Sequence, residues 1–299
     1  MNADGVETIF RAAGAQGWVH ARCLECAAEV GSGADEPVVL ASVVKVLLVL
    51  EFARQVAAEQ LDPTDRVRIS AADRLGGVGT AGFFDDAEIS LRDAAFMAIT
   101  VSDNTAADLL FDRVGVANVR SLVTELGLTR TRVLGAPRDT LHTLAQDIGA
   151  SDPVDFAQRF QTLSPQEYFG TRATDPLRTT ASTPRDMTRL LALIDQDRAA
   201  PPDACSWVRE LMRRQVYTHR LASGFRPGTR IWSKTGSLPG FRNEVGVVED
   251  SDGFRCAVAV FTKVDSLAVR MPMVDRAIGA VARAAVDRLA HSCPKTVLH

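Results

Sequence analysis

The 299-residue sequence predicts an α+β protein: an antiparallel sheet with terminal helices packed on it, and an all-helical domain inserted between its strands. Two observations predict this. Short β-rich runs punctuated by Gly, Pro and Asp occur near both ends of the chain, and capped, amphipathic helical patterns fill the middle. The expected division is residues 1–45 with 205–299 for the sheet domain and 46–204 for the insertion, with the active site in the cleft between them.

Residues 5–16 read as a short helix, followed by "GWVHARCLECAAEV" as one strand. "PVVLAS" leads into a helix over about 43–58, in which "VKVLLVLEFARQVAAE" carries a broad apolar face, and "DPTD" then makes a turn. From about 66 to 204 the texture is helical or looped. Ser90 is placed to cap "LRDAAFMAIT", Gly115 to stop "NTAADLLFDRV", Gly127 to close "VANVRSLVTEL", and Pro184 to start another helix. Beyond 205, "GTRIWSKTGS", "NEVGVVED" and "RCAVAVFTK" read as strands, and "MVDRAIGAVARAAVDRLA" as a closing helix.

Composition narrows the function. The formal net charge of −3 gives no basic footprint for nucleic acid. No apolar run reaches the roughly 18–20 residues that span a bilayer, so no membrane partner is expected. "MNADGVETIF" has no basic segment followed by an apolar one, so the chain as written reads as cytoplasmic.

The five cysteines are odd in number and irregularly spaced, which argues against a disulfide framework. Cys23 and Cys26 form a C-x-x-C within a predicted strand, where side chains three apart face opposite ways; they read as buried or half-buried residues. The histidines show no ligand spacing. No metal site and no cofactor is expected. "GVGTAG", residues 77–82, matches G-x-G-x-x-G but lacks a preceding strand and is followed by acidic residues, so it reads as a loop. Arginine clusters such as "THRLASGFR" read as solvated faces.

One charge stands out. "ASVVKVLLVL" places Lys45 inside an apolar run, and only four lysines exist, at 45, 234, 263 and 295. Ser42 precedes Lys45 by three residues, so on a helix the two share a face. A desolvated lysine has a lowered pKa and can take the proton that makes a hydroxyl nucleophilic. Alone, S-x-x-K is a weak motif, read first as a lysine reaching the surface from a buried helix.

Two further segments change the weight. "VSDNTA" carries Ser102, Asp103 and Asn104 between two apolar helices, and "WSKTGSLPG" carries Lys234, Thr235, Gly236 and Ser237 at the end of a strand. The order S-x-x-K, S-D-N, K-T-G resembles the three-part signature of class A β-lactamases and penicillin-binding proteins. The resemblance runs from about residue 5 to 290 and is weakest between about 133 and 180. It implies a β-lactamase/transpeptidase-like fold.

The resemblance also implies roles. Ser42 would be the nucleophile, Lys45 its base, and Ser102 the proton shuttle to the leaving nitrogen, with Lys234 holding the local field. Asn104 would bind the substrate's amide and keep Lys45 in place, whereas Asp103 reads as structural. Lys234 and Thr235, with Gly236 and Ser237 beside them, would bind the substrate carboxylate, assisted by Arg242. Backbone N–H groups of Ser42 and Ser237 would form the oxyanion hole.

One departure accompanies the match. The E-x-x-L-N loop whose glutamate activates the deacylating water in class A β-lactamases is missing. Between residues 130 and 186 the only glutamate is Glu167, without the following L-N, so it is a weak candidate for that role against an exposed loop carboxylate. The expected partner is a small β-lactam-like or other acyl substrate, with oligomeric state left open. The expected activity is a serine hydrolase that forms an acyl-enzyme and hydrolyses it slowly. Two alternatives stay open: an intracellular amidase, esterase or D-alanyl peptidase, and a binding protein or sensor acylated without turnover.

Overall fold

The computed structural model describes residues 3–250 and 253–293, so Lys295 lies outside the described residues. In chain order the strands are β1 (Gln16–Cys23), β2 (Glu29–Ser32), β3 (Val38–Val39), β4 (Arg66–Ile69), β5 (Ala87–Ser90), β6 (Ala181–Ser182), β7 (Arg230–Leu238), β8 (Phe241–Glu249) and β9 (Arg255–Lys263). The helices begin with α1 (Ala3–Ala12), α2 (Lys45–Ala57), α3 (Leu91–Thr100), α4 (Asn104–Val114) and α5 (Val116–Glu125). They continue with α6 (Pro137–Asp147), α7 (Pro153–Thr162), α8 (Pro165–Phe169), α9 (Pro184–Asp195), α10 (Pro202–Arg213) and α11 (Pro272–Ser292).

The chain forms two compact units, residues 1–36 with 183–299, and residues 37–182. The divisions fall at 36/37 and 182/183 rather than at the expected 45/46 and 204/205. The reason at the second is α9. Thr183 caps it through Asp186 N–H and Pro184 begins it. Its buried Met187, Leu190, Leu191 and Ile194 form the face of a helix that packs on β1, β8 and β9.

The sheet unit is built on five antiparallel strands in the order β2-β1-β9-β8-β7. The central strands are apolar on both faces because helices cover both. On one side α1 and α11 bury Phe10, Ile278, Val281 and Ala282 against Val19, Ala21, Val258 and Val260. On the other side lies α9. Strand β7 ends the sheet, so among the described residues its outer edge has no strand neighbour.

The expected single strand over 17–30 is two. β1 stops at Cys23, residues 24–26 form a turn, Ala27 takes a left-handed φ of +58°, and β2 returns from Glu29. Cys26 is therefore not on a strand, and the Sγ atoms of Cys23, Cys26 and Cys293 lie within 4.8 Å of one another. This corrects the placement of the two C-x-x-C thiols on opposite faces.

In the helical unit α2 is buried on nearly every side, with α3, α4 and α5 around it. That explains why its apolar pattern has no clean polar face. The predicted signals hold: Ser90 accepts the Asp93 N–H at 3.2 Å, and Gly115 ends α4 at φ +85°. Two short ladders, β4 with β5 and β3 with β6, were not expected, since residues 66–204 read as helical or looped and "PVVLAS" as the lead into a helix. Residues 66–69 do alternate exposed and buried, but over too few positions to stand out.

Candidate active site

The helical unit brings Lys45 of α2 together with Ser102 and Asn104 at the start of α4. Residues Ala41–Val44 form a 3-10 turn that runs directly into α2, and the Lys45 N–H bonds back to Ser42 O. Ser42 is half-buried, one turn before a fully buried Lys45. Lys45 Nζ donates to Ser102 O at 2.6 Å, to Asp103 O at 3.1 Å and to Asn104 Oδ1 at 2.7 Å. All three acceptors belong to the S-D-N segment, which therefore holds the side chain in one place.

Electrostatics at Lys45 are divided. Burial disfavours the ammonium and brings its pKa down to about 7, while the nearby Asp103 carboxylate opposes the fall. Desolvation wins. A lysine whose pKa lies near neutrality is within the range in which a side chain can act as a general base.

Backbone strain accompanies the arrangement. Ala41 adopts φ +48° immediately before Ser42, and Ser102 itself adopts φ +62°. Such conformations in non-glycine residues cost on the order of 1–3 kcal/mol and collect at functional sites.

Asp103 holds the turn. It is fully buried, its Oδ1 accepts the Ala106 N–H at 3.0 Å as the N-cap of α4, and its Oδ2 accepts the Thr80 N–H at 2.6 Å. The glycine-rich loop thus serves this carboxylate. Gly79, at φ +86°, lies so close that a Cβ there would sit 2.8 Å from Asp103 Cγ. A buried carboxylate at the loop's amides leaves no room for a phosphate.

The sheet unit carries K-T-G on β7. Lys234 is fully buried and its Nζ donates to Thr235 O at 2.8 Å. Both the N–H and the Oγ1 of Thr235 donate to Gln215 Oε1, at 2.6 and 2.9 Å. The Thr235 N–H therefore points away from β8, and alternation along the strand turns the N–H of Ser237 to the same outer edge. Behind the strand, the buried Glu244 accepts from Ser233 Oγ at 2.7 Å, Gln215 Nε2 at 3.1 Å and Leu221 N–H at 2.7 Å. Burial raises its pKa, and the three donors and Arg220 pull against that.

Arg242 and Arg220 exchange expectations. The Arg242 guanidinium is directed to the backbone carbonyls of Phe241 at 3.1 Å, Leu238 at 3.3 Å and Val269. It staples the β7–β8 turn. Arg220, from the stretch read as a solvated face, is buried at 5% exposure. It reaches Ser237 Oγ at 2.8 Å, Gly236 O at 3.1 Å, Asn243 O at 3.0 Å and Asp275 Oδ1 at 2.7 Å. Among the described residues these bonds engage four of its five N–H groups, and the fifth is on the Nη2 beside Ser237. Its position follows from two glycines: Gly224 in the turn after it meets Gly279 of α11 backbone to backbone, where a Cβ on Gly279 would lie 2.5 Å from Arg220 O. Asp275 stands one turn earlier on the same helix.

Glu167 is placed elsewhere in role. It is exposed, and its Oε2 accepts from Ser164 N–H at 2.9 Å and Ser164 Oγ at 2.6 Å in a capping box at the start of α8. Those bonds hold its carboxyl below its ordinary pKa. A carboxylate so engaged is a poor proton acceptor, which favours the loop-carboxylate reading.

The architecture is the class A β-lactamase fold. The chain belongs to the β-lactamase enzyme family, whose model matches residues 3–289. A β-lactamase regulatory protein, BlaB, of Streptomyces cacaoi is 31% identical over 278 residues, covering 87% of this chain and 88% of that protein. The structure of a β-lactamase from Sphaerobacter thermophilus is 26% identical, with a TM-score of 0.76 over 98% of this chain and all of the other. PBP-A, known also as a variant in an acyl-enzyme complex with penicillin G, shares the fold at 20% identity and a TM-score of 0.75, covering 96% of each chain.

Proposed function

We propose that this protein is a serine hydrolase that opens a β-lactam or related cyclic amide to form an acyl-enzyme and releases it slowly. One observation carries the reading: a fully buried lysine of lowered pKa, one turn after Ser42, held by three oxygens of the S-D-N segment.

In the proposed reaction Ser42 Oγ attacks the lactam carbonyl as Lys45 accepts its proton. Ser102 carries a proton to the departing ring nitrogen, so the C–N bond breaks as the ester forms. Lys234 and Thr235 receive the substrate carboxylate, with the remaining N–H of Arg220 a better-placed helper than Arg242. Asn104 meets the substrate's side-chain amide. The N–H groups of Ser42 and Ser237 stabilise the oxyanion, each such donor typically contributing about 3–4 kcal/mol in the transition state.

A second reading is a sensor that is acylated once and then signals. It is favoured by the regulatory protein among the relatives and by the engagement of Glu167 in a helix cap. Intact-protein mass spectrometry over time with a penicillin separates the two readings, since it reports capture and release in one trace. Capture followed by release supports the hydrolase, and capture without release the sensor. Ser42→Ala is expected to keep the fold and lose the adduct; an undiminished adduct in that variant rejects Ser42 as the nucleophile.

A further inference from the structure

We propose that Cys23, Cys26 and Cys293 form a thiolate site for a d10 metal cation such as zinc(II), at the corner of the sheet unit where β1 ends and α11 stops. The proposal is independent of the acylation chemistry.

The three sulfurs come from distant parts of the chain yet lie within 4.8 Å of one another, and Cys26 Sγ is 2.8 Å from Cys293 Sγ. Three thiolates around one zinc, at Zn–S of about 2.3 Å, stand roughly 3.8 Å apart at the edges of a tetrahedron. The pair Cys26 and Cys293 must open by about an ångström to reach that spacing. Both can yield, for Cys26 is exposed in a turn and Cys293 follows the last turn of α11. Cys23 is the buried anchor. It ends β1 in register with Cys256, and the alternation of β1 puts it on the face that Val19 and Ala21 turn toward α11.

The turn is built to present sulfur. The Cys26 N–H donates to Cys23 Sγ at 3.5 Å. Ala27, at φ +58°, follows this turn and precedes β2. An amide aimed at sulfur fixes the orientation of the side chain, as outer contacts do around a metal's ligands. The fourth position falls to solvent or to Glu25, whose Oε2 accepts from Cys23 Sγ at 3.3 Å and whose Oε1 is held by Arg255. On binding, each S–H still present gives its proton to the buffer as its S–metal bond forms, with no change of oxidation state.

The test uses the full chain, reduced and kept anaerobic, titrated with cobalt(II) alone. The expected result is one equivalent bound, with an intense thiolate-to-cobalt charge-transfer band, visible ligand-field bands of a tetrahedral ion, and displacement by zinc. Cys26→Ser and Cys293→Ser are expected to lose the charge-transfer band with an unchanged far-ultraviolet circular dichroism spectrum, while Cys205→Ser keeps it. Absence of the band from the reduced protein, or its persistence in both variants, overturns the proposal. Absence combined with a Cys26–Cys293 disulfide in the air-exposed protein overturns it in favour of a redox link.

Discussion

Lys45 Nζ donates to Asn104 Oδ1 over 2.7 Å from a position with no exposure to solvent, so the amine is held by protein oxygens while burial works against its charge. With a pKa of about 7, its unprotonated fraction rises through neutrality. The acylation rate is expected to climb about tenfold per pH unit below that point and level off above it. Stopped-flow labelling with a fluorescent penicillin measures this, and a flat profile through neutrality removes Lys45 as the base.

The same shift has a consequence for stability whose sign is definite. Folded Lys45 titrates near 7 and the unfolded lysine near 10.5, so between those values the unfolded chain holds the extra proton. Stability from this group therefore rises with pH across that window and is constant below it. Denaturant unfolding at several pH values should show a steeper gain for the natural chain than for Lys45→Met. Equal slopes would mean that Lys45 keeps its proton when buried.

Asp103 joins the glycine-rich loop to the start of α4 through two buried amide bonds. Asp103→Ala is expected to lower unfolding stability by about 3 kcal/mol, combining a lost N-cap with a lost charge-assisted bond. Asp103→Asn should recover part of it, since one amide oxygen can serve only one of the two diverging donors. A loss below half a kcal/mol in the alanine variant would show that the loop is held by other means.

The turn that follows Arg220 meets Gly279 of α11 backbone to backbone, so the two positions are expected to be coupled. Arg220→Lys keeps the charge but removes the planar fork that spans Ser237, Gly236 and Asn243. It is expected to reduce the second-order acylation constant for carboxylate-bearing β-lactams by one to two orders of magnitude. Gly279→Val displaces the same turn and should do likewise, and the double variant should be less impaired than the product of the singles. Strict multiplicativity in this cycle would uncouple the two positions.

What the sequence made legible follows from local rules. S-x-x-K could be read because three residues on a helix share a face, and Ser90, Gly115 and Pro184 because caps and stops are local chemistry. Arg220 could not be read, because its role depends on a glycine about sixty residues later in the chain. The Cys26 turn was hidden for a different reason. "LECAAE" contains no Gly, Pro, Asn or Asp, and its left-handed residue is an alanine. The K-T-G strand was legible, but Gln215 and Glu244 behind it were not, since nothing in a sequence marks which carboxylate a sheet will bury.

Glu167 provides the remaining prediction. Its Oε2 takes both the N–H and the hydroxyl of Ser164, and the Glu167 N–H returns to Ser164 Oγ at 3.3 Å, so the side chain closes a helix start in full contact with solvent. Glu167→Gln preserves an oxygen that can accept the same bonds. The lifetime of the penicillin adduct in this variant is therefore expected to match that of the natural chain, with only a small fall in thermal midpoint. Ser164→Ala should produce the same small fall by breaking the cap from its other side, again without altering the adduct. If instead Glu167→Gln traps the adduct while Ser164→Ala does not, the carboxylate activates water after all, and the slow release proposed for this protein must have another origin.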